Sequence, residues 1–221
     1  MLEASGGFTC ETHFDDAVPR ATRKVLEDAH ASGTAFTALD RAGTRYRETF
    51  VDSLQPIFLF GAGHVGRALV LALAPLPFRV TWIDGRPDAF PKAMPQNATA
   101  VRAEKPASLV ADAPRGTFVL IMTHSHPIDL ELCRAALARS DLPYVGLIGS
   151  DTKRARFLKR LAESGLGPEA LARLRCPIGM PGIENKAPAI IAASTVAELL
   201  LTREATANET VDSFEGGGQT T

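Results

Sequence analysis

The sequence is poor in cysteine, has no long apolar run and carries almost no net charge. Its three cysteines, Cys10, Cys133 and Cys176, lie far apart and form no Cys-x-x-Cys pair. That spacing excludes a disulfide framework and a zinc knuckle, and it points to a reducing compartment. No apolar stretch approaches the roughly 20 residues that span a bilayer. Residues 1–7 also lack the basic region and apolar core of a secretory leader. A cytoplasmic protein without membrane association is expected. With 24 Lys and Arg against 25 Asp and Glu, the formal net charge is −1, which excludes a protein that coats nucleic acid. What is present is an ordinary globular composition, 45% hydrophobic and 22% charged, enough for a packed core.

The pattern along the chain divides it into residues 1–55, a short N-terminal region; 56–204, the main domain; and 205–221, a disordered tail. Residues 1–17 and the polar end are expected to fray. Val18, Ala21, Val25, Leu26 and Ala29 recur at spacings of three and four before Ser32-Gly33, which predicts a helix over 18–31. Residues 35–39 and 44–51 flank Asp40-Arg41-Ala42-Gly43 and read as a β-hairpin. From Pro56 onward, short apolar runs alternate with amphipathic segments of helical length, the pattern of a parallel sheet wrapped by helices. Strands are predicted at 57–60, 79–83, 99–101, 118–122 and 144–148. Helical stretches are predicted near 65–74, 107–111, 128–139, 153–164 and 188–201. The fold class is therefore α/β, a Rossmann-like parallel sheet.

Candidate binding residues fall where the predicted strands end. Gly61, Gly63 and Gly66 form Gly-x-Gly-x-x-Gly between a strand and a helix, with His64 inside the motif. The first glycine permits a tight turn, the second lets a pyrophosphate approach the backbone, and the third allows close packing of helix on strand. Asp84 closes the second strand, eighteen residues after Gly66, where a carboxylate can bond a ribose hydroxyl. Arg86 stands two residues on and offsets the repulsion of a ribose phosphate, so NAD is favoured over NADP only weakly. The alternative is that the glycines merely build the turn and Asp84 caps the next segment.

Thr123-His124-Ser125-His126 follows the fourth strand. A His-x-His pair without a third ligand is not a metal site, which leaves loop polarity or one functional histidine. After the fifth strand, Gly149, Ser150, Lys153 and Arg154 form a glycine-containing turn that opens a basic helix. This is either a second anion cradle or a solvated charged face. Cys176 enters a rigid loop, Cys176-Pro177-Ile178-Gly179, either as a ligand-facing thiol or as a small buried hydrophobe. Cys133, on the face of Leu130 and Leu137, is assigned to the core. No residue is assigned a catalytic role.

The strings FGAGHVGRAL, VTWID, THSHPIDLELC, YVGLIGSDTKRARFLKRL and CPIGMPGIENKAPAIIAAS, over about residues 56–202, resemble the C-terminal Rossmann domain of the XdhC family, the xanthine dehydrogenase accessory proteins. The most specific strings are YVGLIGSDTKRARF and the CPIG loop. The resemblance implies a non-catalytic maturation factor that binds molybdenum cofactor (molybdopterin), supports its sulfuration and hands it to xanthine dehydrogenase or a related molybdenum hydroxylase. It also implies a sulfur donor as a second partner, with a homodimer left open. Family members usually carry a longer N-terminal domain, and Phe8-Thr9-Cys10-Glu11 does not match its motifs. Two alternatives stand beside this reading. One is an NAD(P)-dependent oxidoreductase with Asp84 on the ribose and His124 as proton donor or acceptor. The other is a nucleotide-sensing module without turnover.

Overall fold

The computed structural model describes the strands within residues 7–50 and all of residues 54–215, with side chains described over 54–206. The chain forms two compact units, Met1–Leu54 and Gln55–Thr221.

The first unit holds a four-stranded antiparallel sheet in the order β2-β1-β4-β3. Its strands are β1 (Gly7–Phe14), β2 (Ala21–Ala29), β3 (Thr37–Leu39) and β4 (Arg45–Phe50). β3 and β4 are the predicted hairpin, with Ala38 opposite Arg47. Two expectations fail. The helix predicted over 18–31 is strand β2, with Val25 opposite Cys10 and Thr22 opposite His13 of β1. Fraying predicted for residues 1–17 gives way to β1, which pairs with β2 on one side and β4 on the other. Spacing within a segment does not reveal a partner strand elsewhere in the chain, and here pairing overrides a weak helical period. The remaining residues of those two segments lie outside the described residues.

The second unit is a six-stranded sheet in the order β10-β9-β8-β5-β6-β7, parallel throughout. Its strands are β5 (Gln55–Phe60), β6 (Phe78–Asp84), β7 (Ala98–Arg102), β8 (Phe118–Ile121), β9 (Tyr144–Leu147) and β10 (Leu174–Arg175). Between them run α1 (His64–Leu73), a 3-10 turn (Pro106–Val110), α2 (His126–Leu137), α3 (Asp151–Glu163) and α4 (Pro168–Ala172). α5 (Pro188–Glu215) closes the unit, so the predicted disordered tail is helical as far as Glu215. Residues 216–221 lie outside the described residues.

Alternation along the strands divides the core into two layers. Ile57 and Leu59 face one side with Leu69, Trp82 and Leu199. Phe60, Ile83 and Ile121 face the other with Leu132 and Phe157. Both faces are covered, which is why the strands read as continuous apolar runs. α3 begins at the predicted Ser150 cap, whose Oγ accepts the Lys153 N–H at 3.3 Å, and Gly165 follows its end with φ +95°. From β5 the chain proceeds through β6 and β7 on one side, then crosses to β8, β9 and β10 on the other. That reversal opens a crevice at the carboxyl ends of β5 and β8, where sheets of this kind take their ligands.

Candidate functional site

The crevice begins at the glycine turn. Gly61 has φ +114°, and a Cβ there would strike the Met122 carbonyl; a Cβ on Gly66 would strike the carbonyl of Gly61. Those two glycines are required by the protein's own packing. Gly63 is different, because it is exposed and a Cβ added to it meets nothing within 4 Å. It caps α1 without a side-chain hydrogen bond, and His64 is exposed at the first helical position. An uncapped helix start with an open backbone edge is chemically suited to an anion.

Asp84 reaches this turn from the end of β6. Its Oδ2 accepts the Ala62 N–H at 2.8 Å and the Arg86 Nη2 at 2.8 Å, while Oδ1 accepts the Arg86 backbone N–H and Nε, both at 3.0 Å. Burial pulls the Asp84 carboxyl upward, but the Arg86 guanidinium and the two backbone donors outweigh it and hold its pKa at about 2. Asp84 thus braces the glycine turn. Beside it lies a pocket of about 270 Å³ lined by Phe60, Asp84, Arg86, Glu104, Thr123 and His124.

Thr123 and His124 also line a second pocket, of about 430 Å³, on the β9 side, with Gly149, Ser150, Lys153 and Arg156. Here the centre is an ion pair that sequence reasoning missed. Asp129, wholly buried on α2, accepts Lys153 Nζ at 2.7 Å, the Thr123 hydroxyl at 2.7 Å and the Thr123 N–H at 3.1 Å. Lys153 also donates to the Ile148 carbonyl at 2.8 Å and sits 5.2 Å from the centre of the Phe157 ring. The cation at the start of α3 is therefore balanced from inside the protein. Arg156 reaches His126 Nδ1 at 3.0 Å, which makes that nitrogen the acceptor. The available signal was the string Thr123 to Asp129, an acid in the first turn of α2 six residues after a hydroxyl.

Arg154 and Cys176 line a third pocket, of about 550 Å³, with Arg175 and Glu198. Cys176 is buried, its Sγ 4.0 Å from the Ser150 carbonyl, and a Cβ on Gly149 would lie 3.2 Å from that sulfur. Burial pushes the thiol up to about 11 against the pull of Lys153 and Arg154. Across the loop, Glu198 accepts the Tyr144 hydroxyl at 2.8 Å and the Gly179 N–H at 2.6 Å. Cys133 is fully buried, and burial raises its thiol far above the usual range. The sequence candidates thus separate. Gly61, Gly63, His64, Gly66 and Asp84 gather at the turn, and His124 stands between the first two pockets. Gly149, Ser150 and Lys153 border the second, and Arg154 and Cys176 the third. Cys10 belongs to the other unit. Among the described residues, no group of three or more His, Cys, Asp or Glu is placed to hold a metal ion, and no helix is long and apolar enough to cross a membrane.

Residues 57–199 match the XdhC Rossmann domain. The chain belongs to the XdhC family. It is 34% identical over 154 residues to the uncharacterized protein YqeB of Escherichia coli K12, covering 68% of this chain and 28% of that protein. A crystal structure of a xanthine dehydrogenase from Bacillus halodurans superimposes with a TM-score of 0.67 at 22% identity, covering 92% of this chain and 62% of that one. The NAD(P)-binding domain of an exopolyphosphatase-related protein from Archaeoglobus fulgidus aligns at 21% identity with a TM-score of 0.40, over 50% of this chain and 83% of that one. The XdhC chain thus spans only part of its first two relatives. The open edge at Gly63 and the second pocket, with its hydroxyl, imidazole and Arg156 groups, offer hydrogen-bond donors suited to an anionic ligand.

Proposed function

We propose that this XdhC domain binds molybdenum cofactor and serves as an accessory to a molybdenum hydroxylase of the xanthine dehydrogenase type, supporting the cofactor's sulfuration and its insertion. The observation that carries the reading is Gly63, the one glycine of the fingerprint that has no packing reason to be glycine. A phosphate held at the backbone edge supplies that reason. Membership of the XdhC family supports this choice of ligand, because the glycine turn alone suits many phosphorylated molecules.

The residues that would hold the cofactor are Gly63 and His64 at its phosphate, with Thr123, His124, Lys153 and Arg156 bordering the space beyond. When bound, the cofactor supplies the metal-centred chemistry that the hydroxylase uses. The domain's own work is to hold an anion reversibly and to shield it. Arg156, exposed on α3, supplies the positive potential there, while Lys153 is held by the buried Asp129 and adds a hydrogen-bond donor rather than net charge. Release to a partner needs only a competing site of higher affinity.

Titration of the purified chain with molybdenum cofactor, followed by pterin fluorescence, tests this. Saturable binding is expected, and Gly63→Val, which has room to fold, should weaken it by about tenfold or more. Absence of binding by the wild-type chain, or equal binding by the variant, overturns the assignment.

A further inference from the structure

Asp84 stands where a dinucleotide's ribose is normally recognised, yet its acceptor positions are filled. A carboxylate offers about four lone-pair sites, and Asp84 receives four hydrogen bonds from Ala62 and Arg86. A ribose diol must displace one of these donors to bind. The guanidinium turns one edge, Nε and Nη2, to Asp84, and its side chain is 46% exposed along the wall of the first pocket. Five N–H groups are available on a guanidinium, so Nη1 and the second Nη2 hydrogen remain to make a forked contact. Arg102, opposite Asp84 in the β6–β7 register, donates Nε to the Gly85 carbonyl at 3.4 Å and adds a second cation at the same strand ends. Glu104 joins Asp84 as an acidic residue lining that pocket.

We infer that the first pocket takes a nucleotide carrying a ribose 2′-phosphate, read by the outer edge of Arg86, in preference to one with a free ribose diol. Asp84 here is a positioning residue: it aims Arg86 and braces the turn, and it does not touch the sugar. The inference rests on the reading that the Gly63 edge accepts phosphate. It adds the chemical class of the ligand at the β6 end and the residue that selects it.

Calorimetric titration of the full chain with NADP, NAD, 2′,5′-ADP and 5′-AMP decides the matter. Each 2′-phosphorylated ligand is expected to bind about tenfold or more tighter than its counterpart, the scale of a charge-assisted forked contact. Arg86→Gln should bring each pair to within about twofold, and Arg86→Lys should retain part of the preference. Circular dichroism of each variant confirms folding. Equal affinities in the wild-type chain, an unchanged ratio in Arg86→Gln, or no nucleotide binding at all overturns the inference. The cofactor titration above is read separately, so failure here leaves that result standing, and failure there does not set the 2′-phosphate ratio.

Discussion

Two ion pairs flank the crevice with the same chemistry and opposite roles. Asp84 meets Arg86 at 2.8 Å and Asp129 meets Lys153 at 2.7 Å, but the Arg86 side chain is 46% exposed and that of Lys153 only 11%. The first pair keeps a face toward solvent and can exchange partners. The second is enclosed between α2 and α3, with a hydroxyl and two backbone groups completing its bonds. A cation in a binding-site motif is thus available to a ligand only to the extent that its carboxylate partner leaves it so. Lys153, the residue a sequence reader would first assign to phosphate, is the more committed of the two.

Removing the buried partner should have the largest effect. Lys153→Met leaves Asp129 charged and enclosed, and is expected to cost about 3–5 kcal/mol in urea unfolding. A cost under about 1 kcal/mol would make the two pairs equivalent and dissolve the contrast. The glycines sharpen it at intermediate scale. Gly66→Ala drives a methyl into the Gly61 carbonyl and should cost about 1–3 kcal/mol, whereas Gly63→Val should cost less, since a Cβ there meets open space. Equal losses would mean that the open edge closes in solution.

The smallest effect concerns acid. Asp84 is held below its ordinary value, so its contribution to stability is present above the unfolded carboxyl's range near pH 4 and is lost as pH falls toward 2. Arg86→Gln should raise the folded pKa and flatten the stability profile in that window, with a change at pH 7 of about 1 kcal/mol or less. An acid-unfolding curve that superimposes on wild type would show that the exposed pair does not set the Asp84 charge.

Much of the main sheet was legible because its strands are short apolar runs punctuated by glycine turns. β10 was not, having only two residues, and β1 and β2 were not, because their order depends on pairing with distant strands. The glycine turn could be placed from spacing alone. Its division into two packed glycines and one open glycine could not, since that depends on where Met122 and the Gly61 carbonyl come to lie. Arg86 was visible as a neighbour of Asp84 two positions away. Asp129 and Lys153, 24 residues apart, meet only because α2 and α3 cover the same face of the sheet.

The chain has a single tryptophan, and the fold places it under the crevice. Trp82 is buried on β6, edge-on to Phe90 at 5.3 Å, and its indole N–H donates to the Gly61 carbonyl at 3.1 Å. Emission from an indole responds to whether that N–H is bonded and to the field around its ring. The protein's entire tryptophan signal therefore originates one hydrogen bond from the glycine turn. Any ligand that shifts the turn writes its arrival into the colour and intensity of that light, so occupancy of the crevice can be followed in the unlabelled chain, in real time.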